Sequence, residues 1–475
     1  MRKHKSIRIS LFLLLFLSLT IGYATAQDAD AAPEFGFGLG MDLGVATFLD
    51  DSNNEVTYQR VGFVPDISFG KFGLSLDLSF HVRSNPSNPD MPFEFRTEDW
   101  VPDDETSFLE LYLPKFNYVR YGTKGENLFV KMGSIDDATL GVGFIMGNYS
   151  NAMMLPNEKL FGLTLDMDGK LFGFPYVGFE SFVGNLAAPD VMGGRLYGRP
   201  MAWSSIPILD MIEVGFTVAG DISPDARPEY FTELSSLYSV DVDGNLDEDI
   251  NSVAIWGIDV IQPILSNPVI SLAAFTSVAF EPISDGTTES TSSGMMIGAG
   301  GRLISFIPFM AQLRFLGENF IPSYFDTTYD LYRAQKYAVL SGKVDSIDPF
   351  VGWLASSGFS FLEDKVAFSV SIDGPFAAAP SGDISEHSAT EYPHLKAAFT
   401  LAEDLIPGVF FDAYYDKQYI AAFSDIFDAT GAVIGANINY KTGPAVITLN
   451  YDVKYDPATG DFTTAAKLMT SLDLF

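Results

Sequence analysis

The chain has no cysteine and only four histidines among its 475 residues. The first absence removes a disulfide framework, thiol catalysis and lipid modification of an amino-terminal cysteine. A protein of this length must then be held together by hydrogen bonding and burial. The second leaves little material for metal chemistry: Glu386-His387 and Glu391 with His394 stand at spacings that match no zinc motif. A Gly-Lys-Ser phosphate loop and a Gly-x-Ser-x-Gly elbow are missing as well, and the Gly298 to Gly301 run, GAGG, is better explained by a strand. The sequence therefore points away from an enzyme and calls for no cofactor.

Positive charge is scarce. Lys and Arg number 28 against 61 acidic residues, a formal charge of -33. Such a chain repels phosphate backbones, so nucleic acid is excluded as a partner, while divalent ions and cationic solutes stay compatible. Long apolar runs are lacking too, except at the start. There Arg2, Lys3, Lys5 and Arg8 precede LFLLLFLSLTIG and then Ala24-Thr25-Ala26, the order of a secretory signal peptide spanning 1–26. Cleavage there would remove four basic residues and take the charge from -33 to about -37, leaving 27–475 as one domain. Yet 47% of the residues are apolar. Apolar content must be spread in short pieces.

Those pieces alternate. In LSLDLSFHV, Leu74, Leu76, Leu78, Phe80 and Val82 take one parity and Ser75, Asp77, Ser79 and His81 the other. FGFGLGMDLGV from Phe35 and AVITLNYDVKY from Ala445 repeat the pattern, which is that of strands with one greasy and one wet face. The connections come in two kinds that take turns. Short ones fall at 70–73, 123–127, 168–170, 266–268, 363–365 and 441–444; longer, more polar ones fall at 84–107, 135–157, 221–251, 282–293, 318–349, 374–393 and 420–430. Turn residues and alternation together predict about twenty antiparallel strands, within 18 to 22, with both termini on the short-turn side.

A packed sandwich and a transmembrane barrel could both carry such strands. The wet face holds Asp77, His81, Asp259, Arg302, Arg314, Asp412, Asp416, Asn437, Asn439, Asn450 and Asp452, too polar a set for a dry core. Aromatics gather near strand ends, as in Tyr112, Phe116, Tyr118 and Tyr121, which suits interfacial girdles. The expectation is an all-β, up-and-down transmembrane barrel. On these features, and on the terminal TSLDLF, the chain resembles bacterial outer-membrane β-barrel proteins of the porin-like class. The resemblance implies a location in the cell outer membrane, contact with its lipid, passage of small solutes, and recognition of the last strand by the barrel assembly machinery; porins are often homotrimers. In that class apolar residues usually alternate back from the final aromatic, whereas here Leu474, Leu472 and Leu468 take the opposite parity to Phe475. The last strand must face unusually, or a bulge near Ser471 must restore the facing.

A barrel of this width admits water unless loops fold inward. Segment 134–158 is apolar for an external loop, and two readings stand side by side: an inward constriction or one more strand pair. As a constriction it would offer Asp136, Asp137, Tyr149 and Asn151 to solute. Across the lumen, Arg195, Arg199, Arg302 and Arg314 could oppose Asp259, Asp412, Asp416 and Asp452 as separated rows that orient dipolar solutes; equally, each arginine could be a structural partner of a neighbouring carboxylate. Asp241, Asp243, Asn245, Asp247 and Asp249 resemble part of a calcium loop but lack the glutamate at its twelfth position, so a solvated acidic loop is the default. The expected function is passive, cation-preferring diffusion of small hydrophilic solutes. Its rivals are a channel for hydrophobic substrates and an adhesin that displays Phe325, Tyr329, Tyr332 and Tyr337 on a loop.

Overall fold

The computed structural model describes residues 35–473 apart from 50–54, 85–92, 103–106, 136, 155–158, 207, 227–249, 268, 285–288, 305, 343–345, 363–364, 381–390, 429–430, 443–444 and 457–460. Strands dominate it. The first six are β1 (Phe35–Leu49), β2 (Glu55–Phe69), β3 (Phe72–Leu76), β4 (Leu78–Ser84), β5 (Phe93–Phe95) and β6 (Phe116–Tyr121). Then come β7 (Leu128–Gly133), β8 (Gly162–Asp168), β9 (Val177–Val183), β10 (Val191–Gly198), β11 (Glu213–Asp221), β12 (Val253–Ser266), β13 (Ile270–Ser284) and β14 (Glu289–Leu303). The last eight are β15 (Ile307–Leu316), β16 (Phe350–Phe361), β17 (Val366–Pro375), β18 (His394–Ile406), β19 (Val409–Lys417), β20 (Ala432–Thr442), β21 (Ala445–Asp456) and β22 (Asp461–Asp473). Among the described residues two α-helices interrupt them, α1 (Phe108–Tyr112) and α2 (Tyr329–Leu340).

All 22 strands belong to one sheet, and every neighbouring pair is antiparallel. β2 pairs with β3 through Ile67↔Leu74 and with β4 through Val61↔Phe80, so β3 and β4 are one stave broken at Asp77. At the break the Asp77 N–H turns away from β2 and donates to the Lys115 carbonyl at 2.7 Å. The far side of that broken stave is covered by the short β5 above and β6 below, leaving twenty staves. β1 closes on β22 through Gly40↔Asp473 and Leu43↔Thr470. Closure pairs the first strand with the last, which removes the long open edges that a sheet this large would otherwise present.

One rim carries short connections, such as Pro407-Gly408 between β18 and β19, where Gly408 has φ 72° and a Cβ would sit 2.5 Å from the Lys441 carbonyl oxygen. The other rim carries the long segments after β4, β7, β11, β15, β17 and β19, as expected from sequence, but not the long connection expected at 282–293, where β13 runs to Ser284 and β14 starts at Glu289. The outer face is apolar and open: Phe35, Leu196, Phe216, Trp256, Ile258, Ile297 and Phe315 are all exposed, Phe35 by 68%. A soluble protein would hide such a surface; hydrocarbon accepts it. In β22, Leu468 stands opposite Leu449, and Leu472 opposite Met41 and Ala445. No register shift occurs between β21 and β22 among the described residues. The register through Ser471 therefore has no bulge, while Phe475 lies outside the described residues.

Candidate functional site

The interior is not an open tube. Among its described residues, segment 134–161 between β7 and β8 contains no strand, only two isolated bridges, Ala138↔Tyr149 within it and Met146↔Phe325 to segment 317–349, so the strand-pair reading does not hold. It folds against the inner wall together with segment 317–349, which carries α2. Ile135, Leu140, Phe144, Ile145, Met146 and Tyr149 from the first segment share one buried apolar cluster with Phe320, Tyr324, Phe325, Tyr329, Ala334, Tyr337 and Leu340 from the second. The wall supplies Phe182, Val191, Ala219, Val253, Ile255, Ala279, Ile283, Met296 and Leu316 from β9 to β15. Inward positions near the long-loop rim are thus apolar, where alternation alone suggested a wet face, because the loops need a dry surface to pack on.

α2 has a sequence reason to lie there. Tyr329, Arg333, Tyr337 and Leu340 recur at helical spacing and are all buried, and Gly342 at φ 71° ends the helix. Arg333, fully buried, donates to Asp190 at 2.7 Å and Asp330 at 2.7 Å and stands 3.3 Å from Asp221. The Tyr329 hydroxyl donates to Asp221 at 2.9 Å and the Tyr149 hydroxyl to Asp330 at 3.1 Å. One guanidinium thus joins α2 to the wall, and Tyr149 joins the other loop to the same knot. Burial lifts the Asp330 carboxyl above its ordinary range and pushes the Tyr149 hydroxyl well up.

Tyr149 and Asn151 are therefore not solute contacts. Both are 1% exposed, and the Asn151 side chain accepts from the Ile135 N–H at 2.8 Å and donates to the Gly184 carbonyl at 2.8 Å. An apolar loop held on a wall needs its polar side chains to satisfy backbone groups, which removes them from the water path. Asp137 is exposed beside Lys124, whose ammonium donates to its carbonyl at 3.2 Å. Asp136 lies outside the described residues, as do Asp241, Asp243, Asn245, Asp247 and Asp249. Phe325, Tyr329 and Tyr337 are buried in the loop core rather than displayed, and only Tyr332 of that set is exposed.

At Arg195 and Arg199 the wall holds arginines partnered by neighbouring carboxylates rather than separated rows. Arg195, 1% exposed, donates to Asp259 at 2.6 Å, Glu213 at 2.9 Å and Glu180 at 3.2 Å. It reaches from β10 across β11 because residue 215 is glycine: a Cβ there would lie 2.3 Å from the Arg195 Nε. Arg199 pairs with Asp168 at 2.8 Å and Glu213 at 3.4 Å, and both arginines flank the Tyr197 ring, at 4.9 Å and 5.1 Å from its centre. Buried cations in a low-dielectric wall need close anions, and this pairing satisfies them.

The wall from β15 to β20 differs. Arg314 is buried, donates to the neutral Gln312 at 3.0 Å, and meets its nearest carboxylate, Asp373, at 3.4 Å. It opens into a cleft between segment 317–349 and the wall, lined by Phe320, Ile321, Phe350, Asp373, Tyr392, His394 and Gln418. His394 contacts Asp416 at 2.7 Å, while Lys396, Asp412, Tyr414 and Asn437 share the inward face and are exposed. Arg302 is exposed nearer the short-turn rim. Asp452 stands in register with Gly435, and its side chain lies outside the described residues. Glu180, Glu213, Asp168 and Asp373 were within reach of sequence reasoning, since all sit at inward strand parity; Asp190, Asp221, Asp330 and Arg333 meet only through the fold of the loops.

No family model matches the chain, and no curated protein matches it. Solved structures do. OccK2 (OpdF) of Pseudomonas aeruginosa in complex with glucuronate is 8% identical with a TM-score of 0.32, over 93% of this chain and 99% of that one. OccAB1 of Acinetobacter baumannii is 8% identical with a TM-score of 0.32, over 95% and 100%. Wzi of Escherichia coli, described as an outer membrane protein involved in group 1 capsule assembly and a carbohydrate-binding β-barrel, is 9% identical with a TM-score of 0.33, over 93% and 84%. The protein is an up-and-down antiparallel β-barrel closed by β1 on β22, with two loops packed against one side of its lumen.

Proposed function

We propose that the protein is a non-enzymatic outer-membrane channel that passes small hydrophilic solutes through the part of the lumen its inward loops leave uncovered. One observation carries this. The loop core covers inward residues of β9 to β15, whereas Lys396, Asp412, Tyr414 and Asn437 on β18 to β20 keep their inward side chains in water. A barrel meant only to be sealed would have the second wall packed as the first is. The cleft at Arg314 is the candidate narrow point, with Arg314, Phe350, Asp373 and His394 on the barrel wall and Phe320 and Ile321 on the loop opposite. The reading calls for no bound cofactor, and the excess of carboxylates over cations favours cations among ions.

Planar-bilayer recording of the purified, folded barrel tests it. Stepwise conductance with a reversal potential of cation sign is expected, and a folded barrel that inserts without conducting refutes the proposal.

A further inference from the structure

Two connections, one on each rim, fold outward over the barrel rather than inward or away. On the short-turn rim the segment between β10 and β11, residues 199–212, is long for its side. Its sequence after Arg199, PMAWSSIPILDMI, holds Asp210 as its single charged residue. Trp203 is 71% exposed and Ile206 56%. The backbone tells where the segment goes. Ile208 adopts φ 81°, a strained conformation for a β-branched residue, and its carbonyl accepts from the Gln262 side chain at 2.7 Å. Gln262 shares its strand parity with Trp256 and Ile258, the lipid-facing side of β12. The strain is thus spent on turning the segment down onto the outer wall. Arg199 ties it to the adjacent turn by donating to the Pro175 carbonyl at 3.1 Å, and that turn presents Phe172 and Phe174, both exposed.

The long-loop rim repeats the device elsewhere on the circumference. Between β19 and β20 a helical turn exposes Phe423 by 76% and Phe427 by 81%. Its Ile426 carbonyl accepts from the Tyr415 hydroxyl at 2.6 Å, and Tyr415 belongs to the outward parity of β19, paired with Ile434.

We propose that these two segments are membrane-interface anchors, seated at the boundary of headgroups and acyl chains on opposite sides of the bilayer. The proposal rests on the reading of the barrel as membrane-spanning. Each segment continues the apolar outer band beyond the last strand residue, each is fixed to that band by a hydrogen bond from an outward side chain, and each offers the large aromatic rings that interfaces favour. Exposed apolar side chains scattered singly would need no explanation; here they lie together on segments held against the band.

The test uses the full barrel with W100F, W256F and W353F, which leaves Trp203 as the sole tryptophan, reconstituted into phosphatidylcholine vesicles. Heat-modifiable gel migration verifies folding. Trp203 emission that is lost with brominated acyl chains near the headgroup, and insensitive to aqueous iodide, is the expected result. Emission lost to iodide while the vesicles carry the barrel in flotation overturns the anchor and leaves the membrane-spanning reading intact. Protection from both quenchers also overturns it, in favour of a second copy covering the segment. A barrel that fails to float with vesicles overturns both readings. If the triple variant does not fold, the difference between wild type and W203F reports the same signal. Adding W203F and F427W to the triple variant examines the other rim by the same criteria.

Discussion

Replacing Arg333 by methionine should release the inward loops while sparing the barrel. The guanidinium lies within 4.0 Å of Asp190, Asp221 and Asp330, and all four side chains are at most 7% exposed. Methionine fills similar volume, so the cost is mainly that of leaving buried carboxylates without their cation. Removing one partner of a buried ion pair costs about 3–5 kcal/mol. That shifts the balance between docked and undocked loops by roughly a hundredfold to a few thousandfold toward undocked. The ladder hydrogen bonds between staves involve none of these side chains. The assay is paired: single-channel conductance, and protease cleavage within 317–349. R333M should raise conductance, add open-state noise and expose the loop to cleavage, with the heat-modifiable transition of the barrel unchanged. Adding D221N should restore docking in part, because it removes one of the orphaned charges. An R333M barrel with wild-type conductance and wild-type protection would refute the idea that this knot holds the loops.

Gly215→Val should push Arg195 off Asp259, since a Cβ already falls 2.3 Å from Nε, and lower the temperature of the heat-modifiable transition; an unchanged transition would show the contact to be dispensable. Arg314→Gln should move the reversal potential further toward cations, and Asp373→Asn should move it the other way, because each alters the charge at the cleft without touching the loop knot. The pH response of docking can be dissected. Burial raises the Asp330 carboxyl above 3.8, so its contribution is full below that value and fades as pH rises through the raised one. At Asp326 the upward pull of burial is outweighed by Lys336, which holds that carboxyl below 3.8, so its contribution is present above 3.8 and lost as pH falls. Asp190 and Asp221 are present in both variants, so the difference between them is the readout: D326N should gain more conductance than D330N as pH rises, and identical pH profiles would refute the assignment.

The alternation of LSLDLSFHV and AVITLNYDVKY, with short turns opposite long ones, determined the barrel, its stave number to within two and the rim on which β1 begins, because strand facing and turn chemistry are local properties with a fixed period. The low charge of 134–158 also marked that segment as unlike a solvated loop. What local pattern could not hold is which partners meet across the lumen. Tyr149 and Asn151 look like solute contacts in the chain and are anchors in the fold, since a polar residue in an apolar loop can serve either water or backbone. Arg195 and Asp259 look like opposing rows and are one ion pair, made possible by Gly215 on the stave between them. Arg333 carries no motif. Its three carboxylates come from the β9–β10 connection, the end of β11 and its own helix, and only closure of the barrel around the loops brings their charges together.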